Sequence, residues 1–499
     1  MNRHRGKVAR FTACATVLTL FLGAGLASPT VAAATPTTPC TLGTPVTGDY
    51  DGDGAPDLEV TVWDNWIDNA RFFASSKRTN QGDWLDIKAE HLIAADLNGD
   101  VCSDVVAISP QFSLNLVYGS PSGLDPATLT PVVLPQQAGI TSPDRVIFDA
   151  VAQTYAGVAE VVVAGRIWRD ADNRSEAPFV DVFALGPDGT PGLPQVIDAP
   201  PLVPDAASLE GWPSSMAADD GVVVIGNAEA TVRGVARAGS VSVFGRDVFD
   251  PTKLDRQAVL SQNWPGMPGS SETGDHFGQA VAYRDGRLAI GIPYESTAGV
   301  TQSGRVQLAT WVASENRLRV GKSFDQNTRG VPGSNEKKDR FGGVLTIARG
   351  LTGRGSYDVV VGTPTEGSGR IRYAGSVTVG SFTKAVYRTY TQDSPGVPGK
   401  PDRAPSEATA DGDYFGYAVG TLPTSPTADT LVIGAPGETN GDCLTQGYVV
   451  RTDGKRLSSS TRWAYLAPPT KGCSFYDEDV FDGWGAAFAI GSQYLRELP

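Results

Sequence analysis

Between Gly48 and Val60 the chain sets oxygen donors at alternate positions: Asp49, Asp51, Asp53, Ala55 through its carbonyl, and Asp57, with Gly54 after the third carboxylate. A second copy holds Asp96, Asn98, Asp100, Cys102 through its carbonyl, and Asp104 at the same spacing. An all-oxygen set of this kind suits a hard cation, and calcium takes six to eight such ligands with water completing the shell. Val101 stands where the first loop has Gly54, so the second loop makes its sharp turn under strain.

Neither loop is an EF-hand. That motif needs a bidentate Glu at position 12 on an exiting helix. Position 12 is Val60 in the first loop and Ala107 in the second, and each loop runs into a Val-rich, alternating segment that reads as a strand. Two calcium ions are therefore expected, each stiffening the start of a strand rather than sensing anything.

A further set of carboxylates recurs later. Glu295, Glu366 and Glu438 each stand one residue beyond a Gly-x-Pro, in PYE, PTE and PGE. Three such groups on one face suit a cation or a basic ligand, or acid and base work on a glycan. The other reading is that a repeat repeats, and each Glu caps its own turn. Nucleophile chemistry finds no support: there is no GxSxG elbow, and beyond the leader only His91 and His276 remain. No phosphate-cradling loop is present, and no catalytic residue is assigned.

The N-terminus reads as a secretion signal over residues 1–34. Arg3, Arg5, Lys7 and Arg10 precede an apolar run from Phe11 to about Ala27, and Ala32-Ala33-Ala34 offers a cleavage site; the run is short for a membrane anchor. Cleavage removes four of the 41 Lys and Arg and none of the 55 Asp and Glu, leaving 37 against 55, a formal charge of −18. That argues against nucleic acid and anionic membranes as partners, and fits a glycan, a protein surface or simple solubility. Cys40, Cys102, Cys443 and Cys473 remain, an even number in an exported chain, which suggests two disulfides. Three pairings are possible; Cys40–Cys102 and Cys443–Cys473 close the modest loops. A secreted, extracellular monomer without an anchor is expected.

The elements that carry these residues form a repeat. A strand opening Phe-Gly, a loop, a Val-rich strand, a polar loop and a Gly-Ser-Val strand recur in order, most clearly in 274–308, 338–379 and 412–450, and in worn form in 148–165 and 216–244. Aligned on the residue after the Val-rich strand, Thr61, Ile108, Gly165, Gly226, Gly291, Gly362 and Gly434 mark seven modules. Gly 58 and Pro 35 break helices throughout. Seven units of about four short strands select an all-β, seven-bladed β-propeller over residues 44–499, after a short linker at 35–43. Gly483-Trp484-Gly485 reads as one more Phe-Gly strand, and the first module lacks one. The C-terminal strand is therefore expected to complete the first blade and remove an open edge; an eighth, truncated blade is the alternative.

Phe277-Gly278, Phe341-Gly342 and Phe415-Gly416, with Gly434-Ala435-Pro436, Gly291-Ile292-Pro293 and Gly362-Thr363-Pro364, resemble the FG-GAP repeats of integrin α subunits and of many secreted bacterial propellers. The linkers PGMPG (265–269), RGVPG (329–333) and PGVPG (395–399) look like the secreted actinobacterial branch. The resemblance implies metal loops between the first two strands of a blade on the lower face and ligands on the upper face, where the three glutamates would lie. Here only the first two modules keep the metal loop; RDGR at 284–287 is too short for one. The resemblance implies a non-catalytic extracellular binding or adhesion module. The rival is a glycan-active hydrolase or lyase using upper-face carboxylates, and a third reading is a structural surface component.

Overall fold

The computed structural model describes residues 40, 46–63, 71–75, 83–85, 91–108, 114–124, 128–132, 145–168, 176–184, 195–197, 213–247, 254–315, 317–401, 412–438, 447–452, 456–458, 461–466, 482–487 and 493–494. The signal segment, Cys443 and Cys473 lie outside them.

Six consecutive stretches fold as up-and-down antiparallel sheets. The first holds β4 (His91–Ala95), β5 (Asp104–Ile108), β6 (Leu114–Val117) and β7 (Thr130–Val132). The second holds β8 (Arg145–Tyr155), β9 (Val158–Trp168), β10 (Glu176–Ala184) and β11 (Gln195–Ile197). Next come β12 (Ser215–Asp219), β13 (Val222–Asn227), β14 (Ser240–Arg246) and β15 (Leu254–Leu260), then β16 (Val281–Arg284), β17 (Arg287–Ile292), β18 (Arg305–Val312) and β19 (Arg317–Phe324). The last two are β20 (Val344–Arg349), β21 (Tyr357–Thr363), β22 (Ser376–Ser381) and β23 (Tyr387–Tyr390), and β24 (Ala418–Ser425), β25 (Ala428–Ala435), β26 (Tyr448–Thr452) and β27 (Trp463–Leu466). The first strands β4, β8, β12, β16, β20 and β24 neighbour one another in that order and line a central channel of about 280 Å³. This is a β-propeller with six such blades.

The expectation of seven is corrected in that respect. A blade meanders from one stretch of chain and puts its first strand on the channel. The first module has no Phe-Gly strand of its own and forms a different kind of sheet: β1 (Leu58–Trp63), β2 (Arg71–Ser75) and β3 (Asp83–Leu85), with β28 (Asp482–Ala487) added from the far end of the chain. Thr61 pairs with Ala487 and Trp63 with Asp482. The short β29 (Gln493–Tyr494) pairs with β24. Among the described residues no strand of the β1 sheet contributes to the channel wall.

Why the middle strands are Val-rich follows from their place. β13 is buried at every position, as is β22, because neighbouring blades cover both faces. The outer β15 and β19 are instead partly exposed along most of their length. Apolar clusters bridge successive blades: Val360, Val377 and Val379 of one pack with Phe415, Ile433 and Tyr448 of the next.

The motif glycines are steric. A Cβ on Gly226 would stand 2.0 Å from the Gly278 carbonyl oxygen, one on Gly291 2.0 Å from that of Gly342, and one on Gly362 2.2 Å from that of Gly416. In these three blades the Phe-Gly backbone thus lies against the glycine near the end of the Val-rich strand of the blade before. Phe277, Phe341 and Phe415 are fully buried beside these contacts. Among the described residues no helix is long and apolar enough to cross a membrane.

Candidate functional site

The two acidic loops have one hydrogen-bond plan. In the first, Asp49 Oδ1 accepts the Asp53 N–H at 3.1 Å and Asp49 Oδ2 accepts that of Gly54 at 2.8 Å. Asp51 accepts from Asp53 at 3.2 Å, Asp53 from Ala55 at 2.8 Å, and Asp57 from Tyr50 at 2.8 Å. In the second, Asp96 accepts from Asp100 and Val101, both at 3.1 Å, Asn98 from Asp100 at 3.0 Å, Asp100 from Cys102 at 3.0 Å, and Asp104 from Leu97 at 2.8 Å. Each of these five residue pairings in the first loop, from Asp49–Asp53 to Asp57–Tyr50, has its counterpart 47 positions on. Val101 takes φ +82°, the left-handed conformation Gly54 takes at +86°, so the expected strain is present.

The donor chemistry suits a divalent cation. Carboxylate oxygens of Asp49, Asp51 and Asp57 lie within 4.8 Å of one another. Burial raises the Asp49, Asp51 and Asp100 carboxyls above the ordinary range, and the neighbouring carboxylates add to it. Asp104 is pushed well up by burial, then by Asp100 and Asp96, although the Gly119 and Leu97 amides oppose this. A bound cation relieves both causes. The second loop is less close to a cage: its compact group is Asp100 with Cys40 and Cys102, whose sulfurs are joined in a disulfide.

The loops are fastened to each other. The expected Cys40–Cys102 disulfide is formed. Gly48 N–H donates to Ser103 Oγ at 2.8 Å, Ser103 N–H to the Asp49 carbonyl at 2.7 Å, and Ser120 N–H to the Tyr50 carbonyl at 3.0 Å. At the same corner β8–β9, β12–β13 and β16–β17 have two-residue turns instead, with positive φ at Ala156-Gly157, Asp220-Gly221 and Asp285-Gly286. Side chains there tie blades directly: Arg349 pairs with Asp285, and Arg284 with Asp429.

Glu295, Glu366 and Glu438 sit on three different blades, each in a joint of its own. Gln262 donates its side-chain amide to Glu295 at 2.7 Å; Gln326 does so to Glu366 and Gln392 to Glu438. Each Gln opens the Pro-Gly linker leading into its blade. Each Glu carbonyl accepts the N–H of the glycine before the next strand: Gly304 at 2.9 Å, Gly375 at 3.0 Å and Gly447 at 2.9 Å. Sequence reasoning missed the glutamines, although Gln-Asn, Gln-Asn and Gln-Asp recur at 262, 326 and 392 ahead of the three linkers. Among the described residues no metal-sized group of side chains includes these glutamates.

No known family profile matches the chain, and no curated protein matches it. Solved structures do. BBS1N from a complex with ARL6DN is 12% identical, with 89% of this chain and 96% of that one covered and a TM-score of 0.41. The periplasmic gluconolactonase of Pseudomonas aeruginosa is 12% identical, with 83% and 99% covered and a TM-score of 0.39. A lectin of Aleuria aurantia is 12% identical, with 74% and 93% covered and a TM-score of 0.34. The class of this protein, a β-propeller, rests on its own strand order.

Proposed function

We propose that this chain is an FG-GAP-type propeller, exported and released by signal cleavage, that acts as a non-catalytic binding or adhesion module for a glycan or protein surface. One observation carries it: the three recurring glutamates, the best candidates for catalysis, are each committed to a separate Gln–Glu joint. A hydrolase or lyase needs two carboxyls at a set separation across one bond. Carboxylates held one to a blade build a rigid ring and leave its loops free to vary, which suits a binding scaffold.

Two calcium ions complete the scaffold in this reading. Asp49, Asp51, Asp53, Asp57 and the Ala55 carbonyl would hold one, and Asp96, Asn98, Asp100, Asp104 and the Cys102 carbonyl the other. Bound there, the cation neutralises crowded carboxylates and stiffens the corner. The sheet of β1–β3 and β28 sits beside the six blades: β28 lies alongside β24, β25 and β26, and the loop before β1 is bound to Ser103 and Ser120 of the first blade. The negative charge argues against nucleic acid, and the expected state is a monomer.

The test is incubation of the calcium-loaded protein with a panel of polysaccharides and cell-wall material, followed by mass spectrometry of the soluble fraction. Depletion of intact protein without new oligosaccharides is expected. New oligosaccharides would establish the enzyme reading instead.

A further inference from the structure

The central channel changes character along its length. Leu92, Met216, Val281 and Leu345 line it where β4, β12, β16 and β20 begin. Asp219 and Arg284, the last residues of β12 and β16, line it where those strands turn back. Small side chains leave the space between them: Ala94, Ala150, Ala152, Ala217, Ala218 and Ala282 also belong to the wall. A dry apolar cavity of about 150 Å³ admits benzene. At about 280 Å³ the channel has room for an apolar body with a short arm, roughly ten non-hydrogen atoms in all.

The charges at the turn end are unequally paired. Arg284 Nη1 pairs with Asp429 and donates to the Ile347 carbonyl at 3.1 Å, and its Nε lies 3.9 Å from Asp285 Oδ2. Arg349 pairs with Asp285 as well. Asp285 and Asp429 thus match both guanidiniums. Asp219 is left over: its Oδ2 accepts the Asp285 N–H at 2.6 Å, and it has no ion pair among the described residues. It is half-buried, so its carboxylate is reachable from the channel. Burial, with the Asp285 and Asp220 carboxylates, raises its carboxyl above the ordinary range, although the Asp285 amide and Arg284 oppose this. A cation beside it relieves both causes.

A second oxygen stands on another blade. Thr421 of β24 lines the channel and is 5% exposed, and its hydroxyl has no hydrogen-bond partner among the described residues. A buried hydroxyl is rarely left so.

We propose that the channel binds a small organic ammonium ion, its apolar body among Met216, Val281 and Leu345 and its ammonium against the Asp219 carboxylate. An ammonium offers three donors and no acceptor, which suits a carboxylate and a hydroxyl. The apolar body gains by leaving water for the aliphatic wall. An anion would meet Asp219 and Asp220, and a neutral molecule would leave Asp219 without a counter-charge. The site lies inside the ring, apart from the loops offered to a glycan or protein surface, and does not depend on that reading.

The test is calorimetry on the calcium-loaded mature protein near neutral pH with phenethylamine, against phenethyl alcohol and phenylpropionate. One saturable site is expected for the amine, with the alcohol and the acid weaker by roughly tenfold or more. Asp219→Asn keeps an acceptor for the Asp285 N–H and should bring the amine down to the level of the alcohol. Methionine methyl NMR locates the ligand, because Met216 and Met267 are the only methionines after Met1. The Met216 signal should shift along the calorimetric saturation curve, while that of Met267, in the PGMPG linker, should stay. No saturable binding of the amine, an alcohol that binds the wild type as tightly, unchanged affinity in Asp219→Asn, or a shift at Met267 instead of Met216 would overturn the proposal.

Discussion

Cys40 is joined to Cys102, the seventh residue of the second acidic loop, with their Cα atoms 5.5 Å apart. Gly52 of the first loop lies against the bridge, where a Cβ would meet Cys40 Cβ at 2.9 Å and Cys102 Sγ at 3.3 Å. Two loops that look alike in sequence are thus parts of one fastened corner.

Reduction should therefore loosen both loops together. The bridge spans 62 residues, and chain entropy assigns a loop of that length about 4 kcal/mol. A Cys40→Ala, Cys102→Ala variant should melt at lower temperature and bind calcium more weakly. Peptide mapping should also find Cys443 linked to Cys473. Free thiols at these two positions would contradict that second pairing.

Asp53→Ala should lower the Tm in calcium and change it little in chelator. A site at one hundred times its Kd contributes about 2.7 kcal/mol, and the variant should lose an amount of that order. Equal losses in both buffers would show that the carboxylate acts only through its Ala55 hydrogen bond.

Gly362→Ala should be severe. Its Cβ would stand 2.2 Å from the Gly416 carbonyl oxygen, an atom of rigid backbone. Chemical denaturation should register a loss of at least about 3 kcal/mol, of the order of a large core defect. Gly353→Ala is the control, since no atom lies within 4 Å of its Cβ position.

The carboxyls of the joints set a pH dependence. Burial first, then neighbouring carboxylates, raise Asp275 and Asp339 to about 6 and Glu366 to about 8. A carboxyl raised in the folded state favours folding while protonated. Its contribution is complete below the unfolded value and is lost as pH rises through the folded one. Stability should fall between about pH 4 and 8, by at most about 1.4 kcal/mol per pH unit for each group. Glu366→Gln keeps an acceptor for Gln326 and should flatten the portion above pH 6. An unaltered profile would contradict the assignment.

Much of the ring was legible because the repeat is dictated by sterics. Phe277, Phe341 and Phe415 fill the joints between blades, and the glycines they face tolerate no side chain, so the motif keeps its form in the three blades that carry it. The acidic loops were legible for a similar reason, since their side chains bond within nine residues. What escaped was nonlocal. Gln262 lies 33 residues before Glu295, and Gln392 lies 46 before Glu438. Three glutamates at recurring positions therefore read as a shared site, while the partners that hold them apart stayed hidden. The blade count differed because the first module's sheet takes its fourth strand from residues 482–487, and pattern alone does not say whether such a sheet reaches the channel.

Native mass spectrometry of the mature protein with calcium is the most direct test of a propeller pinned by its two acidic loops. The account predicts two bound ions on the wild type, one on Asp53→Ala and one on Asp100→Ala, with a Tm in calcium that is lower in each variant than in the wild type. A wild-type protein that carries no calcium and melts alike in calcium and chelator would contradict it.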